Sequence, residues 1–181
     1  MANRAYLYPS DNETYLLDSD WEGMSDGPCY DSRHTIPVSW FFFFDSVDIV
    51  EVNILSVRPK SWYQEPKLRG VKEDCVARFR RCISALLKVV GTNFDAEDRL
   101  QRFVETVERW PGQYLLMDPV EIITGGSFRD EDVIPLWQSL FQSIIDAKEA
   151  QFDASRWKPV LGSPFRDRDD FIVRVIGYTY A

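Results

Sequence analysis

Few residues in this chain have the types and spacing for chemistry. Asp118 and Glu121 stand three apart in YLLMDPVE, a spacing that can set two carboxylates at the end of a strand. Paired carboxylates serve glycoside hydrolysis and metal binding. His34, the single histidine, could act as a general base with them. These three define a hydrolase or transferase reading. The same residues also have a structural use. Asp118 before Pro119 is a natural helix N-cap, and Glu121 three residues on completes a capping box. The cap is favoured on that pattern, and no Ser or Cys nucleophile is tied to His34 by sequence.

Other motifs fall short of chemistry. Asp18, Asp20, Glu22 and Asp26 around Gly23 look like a calcium loop, but Trp21 and Met24 intrude. The twelfth position from Asp18 is Cys29 and not an acid. ITGGS lacks the Lys-Ser/Thr of a phosphate loop. Three cysteines, with no C-x-x-C and one histidine, argue against a disulfide framework and a zinc site. No metal and no cofactor is expected.

Charge points toward a partner instead. The chain carries a formal net charge of -8, with seven acidic residues between Asp11 and Asp31. Such a field repels nucleic acid and anionic membranes and favours a basic protein. Exposed loop aromatics anchor interfaces. The expected partner-binding set is therefore Asp18, Asp20, Trp21, Glu22, Tyr30 and Trp62. The most concrete form is a non-enzymatic acidic module, immunity- or antitoxin-like, that masks a basic protein. A homo-oligomeric subunit is a third possibility. The N-terminus has no leader-like apolar run, and the longest such run, Trp40 to Phe44, is far too short to cross a bilayer. A cytoplasmic protein is expected.

The elements that must position these residues follow from periodicity. Arg4 to Tyr8 alternates as a strand, and Pro9 to His34 reads as a long acidic loop with a possible short strand at 14–18. The run WFFFF, residues 40–44, suits either a short helix after Pro37 or a buried strand. In a helix, Trp40, Phe41 and Phe44 would be core, with Phe42 or Phe43 nearer the surface. A strand follows at 48–57, and residues 58–70, with two prolines, read as a loop. Apolar residues from Val71 to Val90 recur at helical spacing, with Cys75 and Cys82 on the stripe and Gly91 as the stop. A second helix lies within 92–112, lined by Leu100, Phe103, Val104 and Val107. A third lies over 130–150, lined by Val133, Trp137, Leu140, Phe141, Ile144 and Ile145. QYLLMDP is a short buried strand, and FIVRVIGYTYA closes the chain as another. The terminal strands are placed to pair with each other. The expected architecture is α+β: one domain over 1–181, with about three helices on one face of a small mixed sheet.

MANRAYLY at 1–8, IPVSW at 36–40 and YLLMDPVEI at 114–122 together resemble a family of uncharacterised bacterial proteins. The opening octapeptide is the specific part. The resemblance implies a bacterial cytoplasmic protein of unestablished role and supplies no site residues.

Overall fold

In the computed structural model, residues 4–11, 27–57, 60–119, 122, 130–148 and 153–180 are described. Alternation in RAYLYPS makes Arg4–Ser10 strand β1, with Ala5 and Leu7 fully buried on one face. The other strands are β2 (Cys29–Arg33), β3 (Ile49–Val57), β4 (Lys60–Val71), β5 (Tyr114–Asp118) and β6 (Tyr178–Tyr180). They form one six-stranded sheet in the order β3-β4-β5-β1-β2-β6. The helices are α1 (Lys72–Val90), α2 (Ala96–Arg109), α3 (Asp130–Lys148) and two single turns, α4 (Lys158–Leu161) and α5 (Arg168–Phe171).

The class is α+β, as expected. The sheet is not mixed, however: β1 pairs antiparallel with β2 and β5, β4 with β3 and β5, and β2 with β6. Between β4 and β5 the chain runs through two helices, α1 and α2. One crossover helix would make the strands parallel, whereas two return the chain to the end it left.

The helical stripes are where periodicity places them. Cys75, Val76, Phe79, Cys82, Ile83 and Leu86 of α1 are buried, as are Leu100, Phe103, Val104 and Val107 of α2. On α3, Val133, Trp137, Leu140, Phe141 and Ile144 are buried, while Ile145 lies at the edge of the stripe and is exposed. Burial pushes the Cys75 thiol up, with the nearby Asp48 carboxylate adding to the shift.

Three expected loops or strands fold differently. Residues 60–70, read as loop, and Val71, read as the first residue of the α1 stripe, are β4, with Val71 exposed; Pro66 is tolerated opposite Glu51 because residues 60–66 pair with β3 alone. Cys29–Arg33, expected inside the acidic loop, is β2, held between β1 and β6. The closing segment is a strand only at β6. Before it, α5 and a π-helical turn, Ile172–Ile176, bury Phe171 and Val175 four residues apart. Because β2 lies between β1 and β6, the two ends of the chain do not pair.

Of the two readings of the aromatic run, the short helix after Pro37 holds, in 3-10 and not α form. Val38–Phe43 is a 3-10 helix with every residue buried, and Phe44 follows at 1% exposure. Three residues per turn send side chains out in three directions, so no position is left on an outer face if all three sides are covered. Phe41 meets Trp137 edge-on at 6.0 Å, Phe42 stacks on Trp157 at 4.8 Å, and Phe43 stacks on Phe79 at 4.4 Å. Phe42 and Phe43, one of which was expected near the surface, are both fully buried. The reason is that α1, α3 and the segment carrying Trp157 each cover a different side. Polar bonds fix the turn as well. The Trp40 indole N–H donates to the Ile176 carbonyl at 2.8 Å, and the Ser39 hydroxyl donates to the Val175 carbonyl. Arg78 of α1 donates to the Phe43 carbonyl at 2.6 Å and to Asp48 at 2.8 Å. Gly177, at φ 87°, lets the chain leave that contact; a Cβ there would lie 2.8 Å from the Trp40 ring.

Truncating a ring in this turn should be severe. Phe42→Ala is expected to lower unfolding free energy by about 3–5 kcal/mol in denaturant titration. Val47→Ser, at a position 82% exposed, should change it by less than about 0.5 kcal/mol. Similar values for the two variants would contradict this packing.

Candidate functional site

The side of the sheet opposite Ala5, Leu7 and Met117 carries a row of polar residues. Directly paired residues of antiparallel strands share a face. Val50 pairs with Lys67, Asp118 with Tyr6, Tyr6 with Asp31, and Asp31 with Tyr178. Lys67 lies beside Asp118, one residue before the Leu68–Met117 pair. The row therefore crosses all six strands, polar from Lys67 on β4 to Tyr178 on β6 and apolar at Val50 on β3.

Its centre is buried: Asp31 is 0% exposed, Asp118 3% and Lys67 6%. Charges so placed must be matched. The Lys67 Nζ donates to Asp118 Oδ2 at 2.5 Å. Arg4 stands 3.4 Å from Asp31, close enough for charge pairing. That contact lacks hydrogen-bond geometry, and neither Asp31 oxygen has a hydrogen-bond partner. The Tyr8 hydroxyl, buried on this face, is pushed well above the ordinary phenol range, by burial first and then by Asp118. Burial likewise raises the Cys29 thiol, with Asp31 adding to the shift. The result is a desolvated ladder of two carboxylates, each beside its own cation and two strands apart, about 10 Å between backbones.

Of the expected catalytic set, Asp118 and His34 are not brought together. Asp118 ends β5 with its carboxylate committed to Lys67, and Glu121, the other half of the capping box, lies outside the described residues. His34 is exposed, at φ 64°, just past the end of β2. It follows Asp31 by three residues, so its backbone lies about 10 Å along the strand from the row, besides being two strands over from Asp118. The structure brings Asp118 to Lys67, Tyr6 and Tyr8 instead.

Among the expected partner-binding residues, Asp18, Asp20, Trp21 and Glu22 lie outside the described residues. Trp62 is on β4, opposite Leu55. Tyr30 is a correction: it is on β2 and not in a loop, 5% exposed, and its ring meets Phe103 at 4.8 Å and Trp110 at 5.4 Å. Alternation around Asp31 turns its ring into the core. Asp31, Lys67, Arg4 and Tyr6 were missed. Only the alternation of β1 hinted at a second face, and nothing local shows that Lys67 meets Asp118 across 51 positions.

No family model matches the chain, and no curated protein or solved structure is significantly similar to it. Among the described residues, no helix is long and apolar enough to cross a membrane.

A buried pair and a cap respond differently to mutation. Asp118→Ala should lower stability by about 3–5 kcal/mol, since it removes the carboxylate paired with a buried lysine. Loss of a cap alone would be about 0.5–2 kcal/mol. The double variant Lys67→Met/Asp118→Leu should recover most of the loss in the same denaturant titration. A small single effect, or no recovery in the double variant, would contradict the pair.

Proposed function

We propose that this chain is a non-enzymatic, acidic protein-binding module with a basic protein partner, in its most concrete form an immunity- or antitoxin-like cytoplasmic protein. The observation that carries this is the β3–β4 hairpin. Its register runs over nine pairs, from Ile49–Leu68 to Val57–Lys60, whereas β5 joins β4 only over Leu68–Val71. Among the described residues, 60–66 pair with β3 alone, so a two-stranded ribbon extends past the sheet. Such a ribbon is marginal in water by itself, and its backbone edges can accept an added strand. Trp62 lies on this ribbon, and tryptophan is a residue type enriched at interface hot spots.

Charge supports the same reading. The pairs Lys67–Asp118 and Arg4–Asp31 on the sheet are each net neutral. The net charge of -8 is therefore carried by the rest of the molecule, where it steers a basic partner at long range. In this proposal Asp18, Asp20 and Glu22 speed association, while Trp21 and Trp62 slow dissociation.

A photoreactive cross-linker at position 62, used in the host, should capture a basic protein, and kinetics with that protein then test the roles. Neutralising Asp18, Asp20 and Glu22 together should lower the on-rate and its dependence on salt. Trp62→Ala should raise the off-rate by an amount equivalent to roughly 2 kcal/mol or more. An acidic captured protein, or parental kinetics for both variants, would reject the proposal.

A further inference from the structure

A groove of about 330 Å³ lies between α2 and the C-terminal segment, at the lower end of the roughly 300–1,000 Å³ of small-molecule sites. Arg99 and Arg102 stand three apart on α2 and so share a helical face at its mouth. Phe103, Ile172 and Ile176 supply apolar wall, and Tyr178, with 46% of its surface exposed, stands at the rim.

Both guanidiniums are available. The Arg99 Nε donates to the Phe94 carbonyl at 2.7 Å, which orients the group and leaves its terminal nitrogens free to donate elsewhere. Arg102 is exposed, and among the described residues neither arginine is in an ion pair. The acids nearest in sequence on this helix are Asp98 and Glu105, both exposed; Glu105 stands 3.7 Å from Arg109 instead. At the floor lie Tyr30 and Thr106, and the Thr106 hydroxyl donates to the Arg102 carbonyl at 2.8 Å. A paired arginine fork beside aromatic and aliphatic wall matches an anion with a flat apolar body.

We propose that this groove binds a small organic anion, a carboxylate or phosphate monoester carrying a planar apolar group. The overall charge of -8 disfavours a polyanion such as nucleic acid at the same arginines. The bound group would place its anionic end between Arg99 and Arg102 and its ring against Tyr178 and Ile172. The inference is independent of the protein-partner proposal, since it uses neither the β3–β4 ribbon nor the acidic segment.

The test is a calorimetric and NMR titration of the full chain with phenyl phosphate, benzoate, inorganic phosphate and benzyl alcohol. Phenyl phosphate or benzoate should saturate, with the largest amide shifts at Arg99, Arg102 and Tyr178. Inorganic phosphate and benzyl alcohol should bind more weakly. Arg102→Gln, at an exposed position, should weaken the organic anion roughly tenfold, while Arg81→Gln, exposed on α1, should leave it unchanged. Absence of saturable binding by both organic anions would overturn the proposal, as would parental affinity in Arg102→Gln. Inorganic phosphate binding as tightly as phenyl phosphate would overturn the organic part.

Discussion

The structure depends on burying five consecutive aromatic residues in one short turn. An α-helix or a strand at Trp40–Phe44 would direct some of these rings outward, and each would leave a large apolar area in water. The 3-10 geometry of Val38–Phe43 divides them among three directions, and the fold supplies cover in each. α1 and α2 meet Phe43 through Phe79 and Phe103. α3 meets Phe41 through Trp137 and Phe141, and Trp157 stacks on Phe42. The C-terminal segment closes over Trp40 and Ser39 by hydrogen bonds to its carbonyls. Segments 136 positions apart in the chain are thereby tied together at one point.

With one face of the sheet committed to that core, the polar residues of the middle strands fall on the other. There the ion pair of Lys67 with Asp118 joins β4 to β5, and the contact of Arg4 with Asp31 joins β1 to β2. Buried pairs of this kind add little net stability over apolar packing, but their loss is severe when one partner is removed. They act as register marks for a sheet whose order departs from chain order. Asp118, which suggested catalysis from its sequence neighbours, is held in this scaffold by Lys67. The two proposed binding sites lie on other parts of the molecule, the β3–β4 ribbon and the arginine groove beside α2.

Legibility in the sequence followed the range of the interaction that sets each element. The stripes of α1, α2 and α3 are local, and Phe79, Phe103 and Trp137 could be assigned to the core from spacing alone. β1 and β5 were equally plain from alternation and apolar run. β2 was hidden, because CYDSR has little apolar pattern and is a strand only through pairing on both sides. β4 was hidden by Pro66, whose missing donor matters less where one edge of the strand is open. The closing segment carries β-branched residues that suit a strand, yet Phe171 and Val175 pack at helical spacing onto the core. At the site, Asp118 stood out for its neighbours in sequence, whereas its true partner, Lys67, is set by register alone.

The most direct test of the central claim is hydrogen exchange at the Trp40 indole N–H, followed by NMR under native conditions. If the aromatic turn and the C-terminal segment form one cooperative core, this proton exchanges only through global unfolding. Its opening free energy then equals that from denaturant titration and matches that of the buried Trp157 indole, which donates to Ser143 at 2.8 Å. An opening free energy well below the global value would contradict the claim. It would mean that residues 172–176 come away from the turn while the rest of the molecule stays folded.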